Sequence, residues 1–257
     1  MIISLIISYD GTNYNGWQKQ PYLNTTIQQK IEDTLNLLTH CTYQVTSAGR
    51  TDAGVHAKAM PCAFVCEHMP IPINRLHTAL NSHLPDDIRV HSAHLMPDNF
   101  HPIASVYEKT YTYTIHNHEI NDVFLDRYSW HIKKPIDIEK ARQASKALLG
   151  THDFKGFSSV GSSAKTTRRT IKNIELTKEN TQIKINITGN GFLYNMVRII
   201  AGTLVAIGTG SLPETTIETV LQTKDRTKAG QTAPACGLTM ASLTYKEEFL
   251  PYFTHLE

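Results

Sequence analysis

The chain has 257 residues, of which 40% are hydrophobic, and a formal net charge of +2. This length suits one large domain or two modest ones. The apolar run from Met1 to Tyr9 is too short to span a membrane, and it lacks the basic start and cleavage site of a signal peptide. These features exclude a membrane-spanning class of protein, and we expect the chain to be cytoplasmic.

Cysteine and histidine spacing argues against disulfide and metal frameworks. None of the cysteines forms a Cys-x-x-Cys pair, so we expect reduced thiols. The 13 histidines show no spacing typical of zinc ligands, and no metal is expected. The four cysteines are Cys41, Cys62, Cys66 and Cys236.

Charge is distributed unevenly along the chain. Residues 1–105 contain six Lys or Arg and eight Asp or Glu, a balance of −2. Residues 106–257 contain nineteen and fifteen, a balance of +4. The second half is therefore the better candidate for contact with a polyanion.

The first half is predicted to run strand, helix, strand, strand, helix, strand. Thr25 or Thr26 can cap the first helix, because Gln28 and Gln29 follow three residues later. Pro72 suits the first turn of the second helix. The predicted strands are 2–9, 43–47, 59–67 and 88–95, and the helices carry Ile27, Ile31, Leu35 and Leu38, then Ile73, Leu76 and Leu80.

The second half repeats this order with longer loops. It is predicted to contain strands at 105–116, 128–132, 169–177, 182–188 and 238–245, and helices at 138–148, 192–207 and 213–222. The order β-α-β-β-α-β is that of the ferredoxin-like unit. We therefore expect an α+β fold with two ferredoxin-like halves, 1–104 and 105–257, whose antiparallel sheets join around a central cleft.

Two loops stand out between these elements. In the first, Ala48–Ala57, Asp52 lies two residues from Arg50 between Gly49 and Gly54, which fits either a rigid site loop or a surface turn. The second, 156–164, is rich in Ser and Gly and is expected to be mobile. Basic residues follow it, so it fits either a solvated loop or an arm that binds phosphates.

The stretch from Gly49 to His56, Gly-Arg-Thr-Asp-Ala-Gly-Val-His, resembles the signature of the TruA-type tRNA pseudouridine synthases. Motifs along almost the whole chain extend the resemblance. They are Tyr9–Thr12 with Gly16–Gln18, Leu84–Ile88, Phe100-His101, Lys109-x-Tyr111-x-Tyr113, Gly150–Phe154, Gly191–Arg198 with Gly202–Leu204, Asp225-Arg226, and Ala233–Leu238 with Tyr245.

The resemblance implies a tRNA-modifying isomerase that needs no metal or other cofactor. It implies conversion of uridine to pseudouridine at positions 38, 39 and 40 in the anticodon arm of tRNA. The N-glycosidic bond breaks, the uracil turns, and C5 bonds to the ribose carbon. A homodimer is also implied.

By the same resemblance, Asp52 is the catalytic residue, acting as a nucleophile at the ribose or as a base at C2′. Arg198 is its expected charge partner, since an arginine among apolar helix residues needs an anion. Arg50 is expected to fill the space of the flipped base or to hold a phosphate. Tyr111 is expected to stack on the uracil, and Leu238 to form an apolar wall. Tyr111 and Leu238 also fit core positions. His56 and Asp10 are expected to be structural.

One departure from the family pattern leaves alternatives open. After Phe100-His101 the family continues Ala-Arg, whereas this chain has Pro102-Ile103. The missing charge puts one RNA or dimer contact in doubt. It leaves open an RNA chaperone with the same fold, or a pseudouridine synthase with another RNA target.

Overall fold

A computed structural model describes residues 1–161 and 164–253, and the chain divides into two compact units. Unit 1 comprises Met1–Tyr107 and the stretch from Met240 to the last described residue, Phe253. Unit 2 comprises Glu108–Thr239. Both units combine helices with antiparallel strands, so the predicted α+β class is confirmed.

Unit 1 has the predicted order of elements. These are β1 (Ile2–Tyr9), α1 (Ile27–Thr39), β2 (Thr46–Ser47), β3 (His56–Val65), α2 (Ile73–Asn81) and β4 (Ile88–Met96). Strand β1 pairs antiparallel with both β3 and β4, and β2 pairs with β3. Because β1 has a neighbour on each side, it is central, as its continuous apolar sequence predicts.

The N-terminus of α1 follows its sequence signals. The Thr26 hydroxyl accepts a hydrogen bond from the backbone N–H of Gln29, which confirms the predicted cap. Ile27, Ile31 and Leu35 are fully buried, as their helical spacing predicts. Strand β2 is shorter than the predicted strand 43–47, because only Thr46 and Ser47 pair with β3.

The C-terminal stretch belongs with unit 1, although the sequence placed all of 105–257 in the second half. Phe100 makes edge-on ring contacts with Tyr245 and Phe249 at 5.1 and 5.4 Å. These rings form a buried cluster with Ala63 and Met96. Burial of this aromatic surface explains why the C-terminal stretch belongs with unit 1. Hydropathy along the chain shows that these residues are apolar, but not which segment they pack against.

Unit 2 contains β5 (Val106–Asn117, from Glu108 onward), β6 (Trp130–Ile132), α3 (Ile138–Ser145), β7 (Gly150–Asp153), β8 (Arg168–Glu179), β9 (Gln182–Gly189), α4 (Met196–Gly208) and α5 (Thr216–Thr223). The final strand, β10 (Leu238–Tyr245), begins in unit 2 and continues in unit 1. Within unit 2 the strand order is β5-β9-β8-β7, and β6 pairs parallel with β5. Strand β7 was not predicted, because four residues are too few to show a period.

Helix α4 is the most buried helix of unit 2, with eleven of its thirteen residues buried. It begins at Met196, so the predicted start near Phe192 is wrong. Asn195 precedes it with a left-handed backbone (φ 61°), and a residue in that conformation cannot continue a helix. The apolar pattern extends beyond the helix because Leu193 is also buried.

The expectation of a mobile loop over 156–164 is wrong at its start. Phe154–Phe157 forms a 3₁₀ helix in which Phe157 is fully buried. A side chain at Gly156 would meet Val220 at 2.7 Å, so this glycine permits close packing rather than mobility. Ser162 and Ser163 lie outside the described residues.

Candidate active site

Residues 48–55 connect β2 to β3, and the segment after β1 holds this loop in place. The backbone N–H of Trp17 donates to the carbonyl of Thr51 at 3.0 Å. The N–H of Gly54 donates to the carbonyl of Tyr14 at 3.2 Å. These bonds lie on both sides of Asp52, so its backbone is held in place from two directions.

Two glycines allow this close approach. A Cβ on Gly11 would lie 2.0 Å from the carbonyl oxygen of Val55, and one on Gly16 would lie 2.6 Å from that of Thr51. Gly16 also has a φ of +80°, which side chains of L-residues rarely tolerate. The backbone of the Asp52 loop therefore packs directly against segment 11–16.

Hydrogen bonds between buried polar groups also hold the Asp52 loop in place. The hydroxyls of Tyr9 and Thr51 are hydrogen-bonded at 2.8 Å. Nδ1 of His56 lies 3.1 Å from the backbone nitrogen of Gly11, which donates to it, and 3.1 Å from Oδ1 of Asp10. His56 is 4% exposed and accepts from the backbone of Gly11, which fits its predicted structural role. Asp10 also accepts from the backbone N–H of Thr12, as its predicted place in a turn requires.

The two charged residues of the loop differ in exposure. Asp52 is half-buried, whereas Arg50 is exposed to solvent. The backbone carbonyl of Asp52 accepts from the N–H of Val55 at 3.1 Å, which closes a turn over Ala53 and Gly54. The loop thus carries a carboxylate on a fixed backbone, two residues from an exposed guanidinium.

Tyr111 and Tyr113 lie on one face of β5 in unit 2, as predicted. Tyr111 is buried, and its ring contacts Phe192 edge-on at 5.3 Å. Tyr113 is fully buried and donates its hydroxyl proton to the carbonyl of Pro234 at 2.8 Å. Burial raises the pKa of Tyr113, so its hydroxyl remains a donor. Tyr113 is therefore a core residue.

Arg198 projects from the first turn of α4 and is half-buried. Its Nε donates to the carbonyl of Ala233 at 2.8 Å, and one terminal nitrogen donates to Oδ1 of Asn195 at 3.0 Å. The amide nitrogen of Asn195 donates in turn to Ser159 at 2.9 Å. These bonds orient the guanidinium, whose planar fork of N–H donors matches the geometry of a carboxylate.

Leu238 is buried at the start of β10, where its backbone follows a short 3₁₀ helix. Asp52 and Arg50 therefore belong to unit 1, and Tyr111, Arg198 and Leu238 to unit 2. The joint action of Asp52 and Arg198 stays a prediction. Asn195 and Phe192 lie within the Gly191–Arg198 motif, but no role is predicted for them from the sequence. Only the fold shows that Asn195 contacts Arg198 and that Phe192 contacts Tyr111.

Lys109 lies two residues before Tyr111 on the same strand. Burial, and then the nearby charge of Arg169, lower the pKa of Lys109 to about 8. Burial also lowers the pKa of Arg169. Two cations therefore share a partly desolvated region of unit 2, which their positions in the sequence did not reveal.

This shift predicts a pH-dependent stability difference for Lys109→Met. Below pH 8 the lysine is charged in both the folded and unfolded states, so burial of its charge lowers the unfolding free energy by the full amount. Between pH 8 and 10.5 only the unfolded state keeps the proton, and the penalty disappears as pH rises. Relative to wild type, the variant should lose about 1–2 kcal/mol of unfolding free energy between pH 7 and pH 10. Urea unfolding at both pH values measures this difference, and an unchanged difference would contradict it.

The described parts of the chain, 1–161 and 164–253, contain no group of three or more His, Cys, Asp or Glu side chains that could hold a metal ion. Across the same residues, no helix is long and apolar enough to cross a membrane. The four cysteines are free thiols.

Comparison with known proteins places these residues in a family. The sequence profile described as tRNA pseudouridine synthase matches residues 5–103 and 144–246. A tRNA pseudouridine synthase A 2 from Clostridium perfringens (strain 13 / Type A) is 42% identical over 243 residues, covering 95% of this chain and 99% of the relative. Its namesake from Clostridium tetani (strain Massachusetts / E88) is 43% identical over 245 residues, covering 95% and 98%.

A tRNA pseudouridine synthase A from Thermoanaerobacter sp. (strain X514) is 42% identical, with 95% of this chain and 99% of the relative covered. Among solved structures, a chain from a crystal structure of a Cbf5-Nop10-Gar1 complex aligns with 94% of this chain and 50% of its own length. That alignment has a TM-score of 0.40 and 13% identity. The sequence matches span both the Asp52 loop and the Arg198 helix, so the chain belongs to the tRNA pseudouridine synthase family and is an isomerase that converts uridine to pseudouridine in tRNA.

Proposed function

We propose that this enzyme isomerises uridines 38, 39 and 40 in the anticodon stem-loop of tRNA. The observation that carries the proposal is the fastened loop, which holds the half-buried Asp52 within a sequence that matches the family throughout. A fixed backbone keeps the carboxylate in a reactive orientation without reorganisation at the moment of reaction.

The reaction rearranges one nucleotide without any external reactant. The bond between N1 of uracil and C1′ of ribose breaks, the base rotates, and C5 bonds to C1′. The proton lost from C5 is balanced by the proton gained at N1. Asp52 begins this sequence, either by attack on C1′ or by removal of a proton from C2′. In both cases it must be ionised, and the guanidinium of Arg198 is proposed to favour that state.

The target uridine must leave its stack before Asp52 can reach the ribose, at a cost of a few kcal/mol. Tyr111 is proposed to stack on the extruded uracil, which returns about 1–3 kcal/mol. Phe192 packs edge-on against Tyr111 and would hold its ring in orientation. Leu238 is proposed to cover the base, and the exposed Arg50 to fill the vacated space or bind a phosphate.

We also propose that the enzyme acts in the cytoplasm as a homodimer. This rests on the family resemblance, and light scattering of the purified protein tests the dimer. Ile103 is 49% exposed where the family pattern has arginine, so one contact in such an assembly differs in character. A monomer at micromolar concentration would overturn the dimer proposal.

Conversion of a synthetic anticodon stem-loop tests the proposed function. The wild-type enzyme should produce pseudouridine at positions 38, 39 and 40 without added metal or cofactor, mapped by carbodiimide modification. A matched stem-loop with cytidine at these positions is the control. Binding without conversion would favour the RNA chaperone, and conversion only of other RNAs would favour a different target.

A further inference from the structure

The face of unit 2 that carries Tyr111 also carries two cations. On β5, Lys109 and Tyr111 alternate onto the same side. Lys109 pairs across the strands with Gly189, which pairs in turn with Ile171 of β8. Directly opposed residues share a face, and Arg169 lies two residues before Ile171. Lys109, Tyr111 and Arg169 therefore lie on one face of the sheet.

Glycines allow close packing beside these cations. A Cβ on Gly189, at the end of β9, would lie 2.6 Å from the carbonyl oxygen of Thr170 and 3.4 Å from the ring of Phe192. A Cβ on Gly191 would lie 3.7 Å from Nε of Arg169, so the arginine passes directly beside this glycine. Phe192 follows, and its ring contacts Tyr111. The two glycines therefore let Arg169, Phe192 and Tyr111 lie close together on this face of the sheet.

The bonding of Arg169 points to an anion. One terminal nitrogen donates to the carbonyls of Thr166 and Arg168, at 2.9 and 2.7 Å, and lies 3.3 Å from the Thr166 hydroxyl. These bonds hold the side chain but add no negative charge. Among residues 1–161 and 164–253, no carboxylate forms an ion pair with it. A half-buried guanidinium beside a second cation is stabilised best by an anion that accepts several hydrogen bonds, and phosphate fits that requirement.

We propose that Lys109 and Arg169 together bind a backbone phosphate of the RNA next to the nucleotide that stacks on Tyr111. This inference rests on the proposed function, because it uses Tyr111 as the base platform. Residues two apart on a strand are separated by about 7 Å, which matches the reach from a base to the phosphates of its own nucleotide. The pair would hold the strand while the base is extruded.

Binding measurements on a synthetic stem-loop test the pair. Arg169→Gln and Lys109→Met should each weaken binding about tenfold. Each should also reduce the slope of log affinity against log salt by about 0.7 to 1. Arg169→Lys keeps the charge and should retain most of the affinity. The control Lys178→Gln removes one exposed charge from the other end of β8 and should leave affinity and slope unchanged.

Neutral methylphosphonate linkages, placed one at a time beside the target uridine, identify the phosphate. One linkage should weaken wild-type binding about tenfold and weaken Arg169→Gln no further. A structural role is recognised by a lower melting temperature with an unchanged salt slope, and that result would overturn the proposal. So would equal losses for wild type and Arg169→Gln at every linkage.

The design separates this proposal from the proposed function. Conversion by the wild-type enzyme judges the function alone. The phosphate contact is measured on whichever RNA the wild type converts. It can therefore be tested even if the enzyme modifies uridines other than 38, 39 and 40. Unchanged affinity and salt slope in both variants, with a fully converting wild type, would overturn the phosphate contact only.

Discussion

Asp52→Asn should abolish pseudouridine formation while tRNA affinity stays within about threefold of wild type. Asparagine has nearly the same shape as aspartate, and the backbone bonds that fasten the loop run through Trp17, Tyr14 and Val55. A neutral amide can neither attack C1′ nor remove a proton from C2′. Loss of a residue with such a role lowers the rate by at least about 10³-fold.

Single-turnover conversion of a stem-loop, followed by carbodiimide mapping, measures the chemical step separately from binding. The control is Asp98→Asn, which makes the same change at an exposed position of unit 1 and should convert at the wild-type rate. Near-full conversion by Asp52→Asn would show that the catalytic carboxylate lies elsewhere.

Gly11→Ala should lower conversion about 100-fold and reduce the unfolding free energy by about 1–3 kcal/mol. The new methyl group would lie 2.0 Å from the carbonyl oxygen of Val55 and 2.6 Å from its carbonyl carbon. Both are backbone atoms, which cannot rotate away as a side chain can. Val55 also donates to the carbonyl of Asp52, so its displacement moves the residue that we propose to be catalytic.

Gly210→Ala is the matched control for this change. A Cβ at this position would have no heavy atom of another segment within 4 Å, and the backbone φ is +71°. The substitution should therefore cost about 1 kcal/mol of backbone strain and leave conversion unchanged. Urea unfolding and single-turnover kinetics measure the two effects. Wild-type conversion by Gly11→Ala would show that the loop does not depend on this close contact.

Elements with strong local signals were predictable from the sequence. The apolar run of β1 and the spacing of Ile27, Ile31 and Leu35 in α1 both correspond to the observed elements. Hydrophobic periodicity indicates which face of an element is buried, and the same residues are buried in the folded structure. The prediction missed strand β7, which has only four residues. It also placed the start of α4 too early, because the left-handed backbone of Asn195 prevents the helix from beginning before Met196.

The sequence by itself determined the family and the residues expected to react, because the motifs around Asp52, Tyr111 and Arg198 are recognisable as residue types at fixed spacing. The tertiary structure decided how the Asp52 loop is held, since Gly11 meets Val55 44 positions away along the chain. It also decided that Lys109 and Arg169 share one face of a sheet. Such contacts join distant segments through backbone approach and strand register, which depend on folding of the whole unit and leave no periodic trace in the sequence.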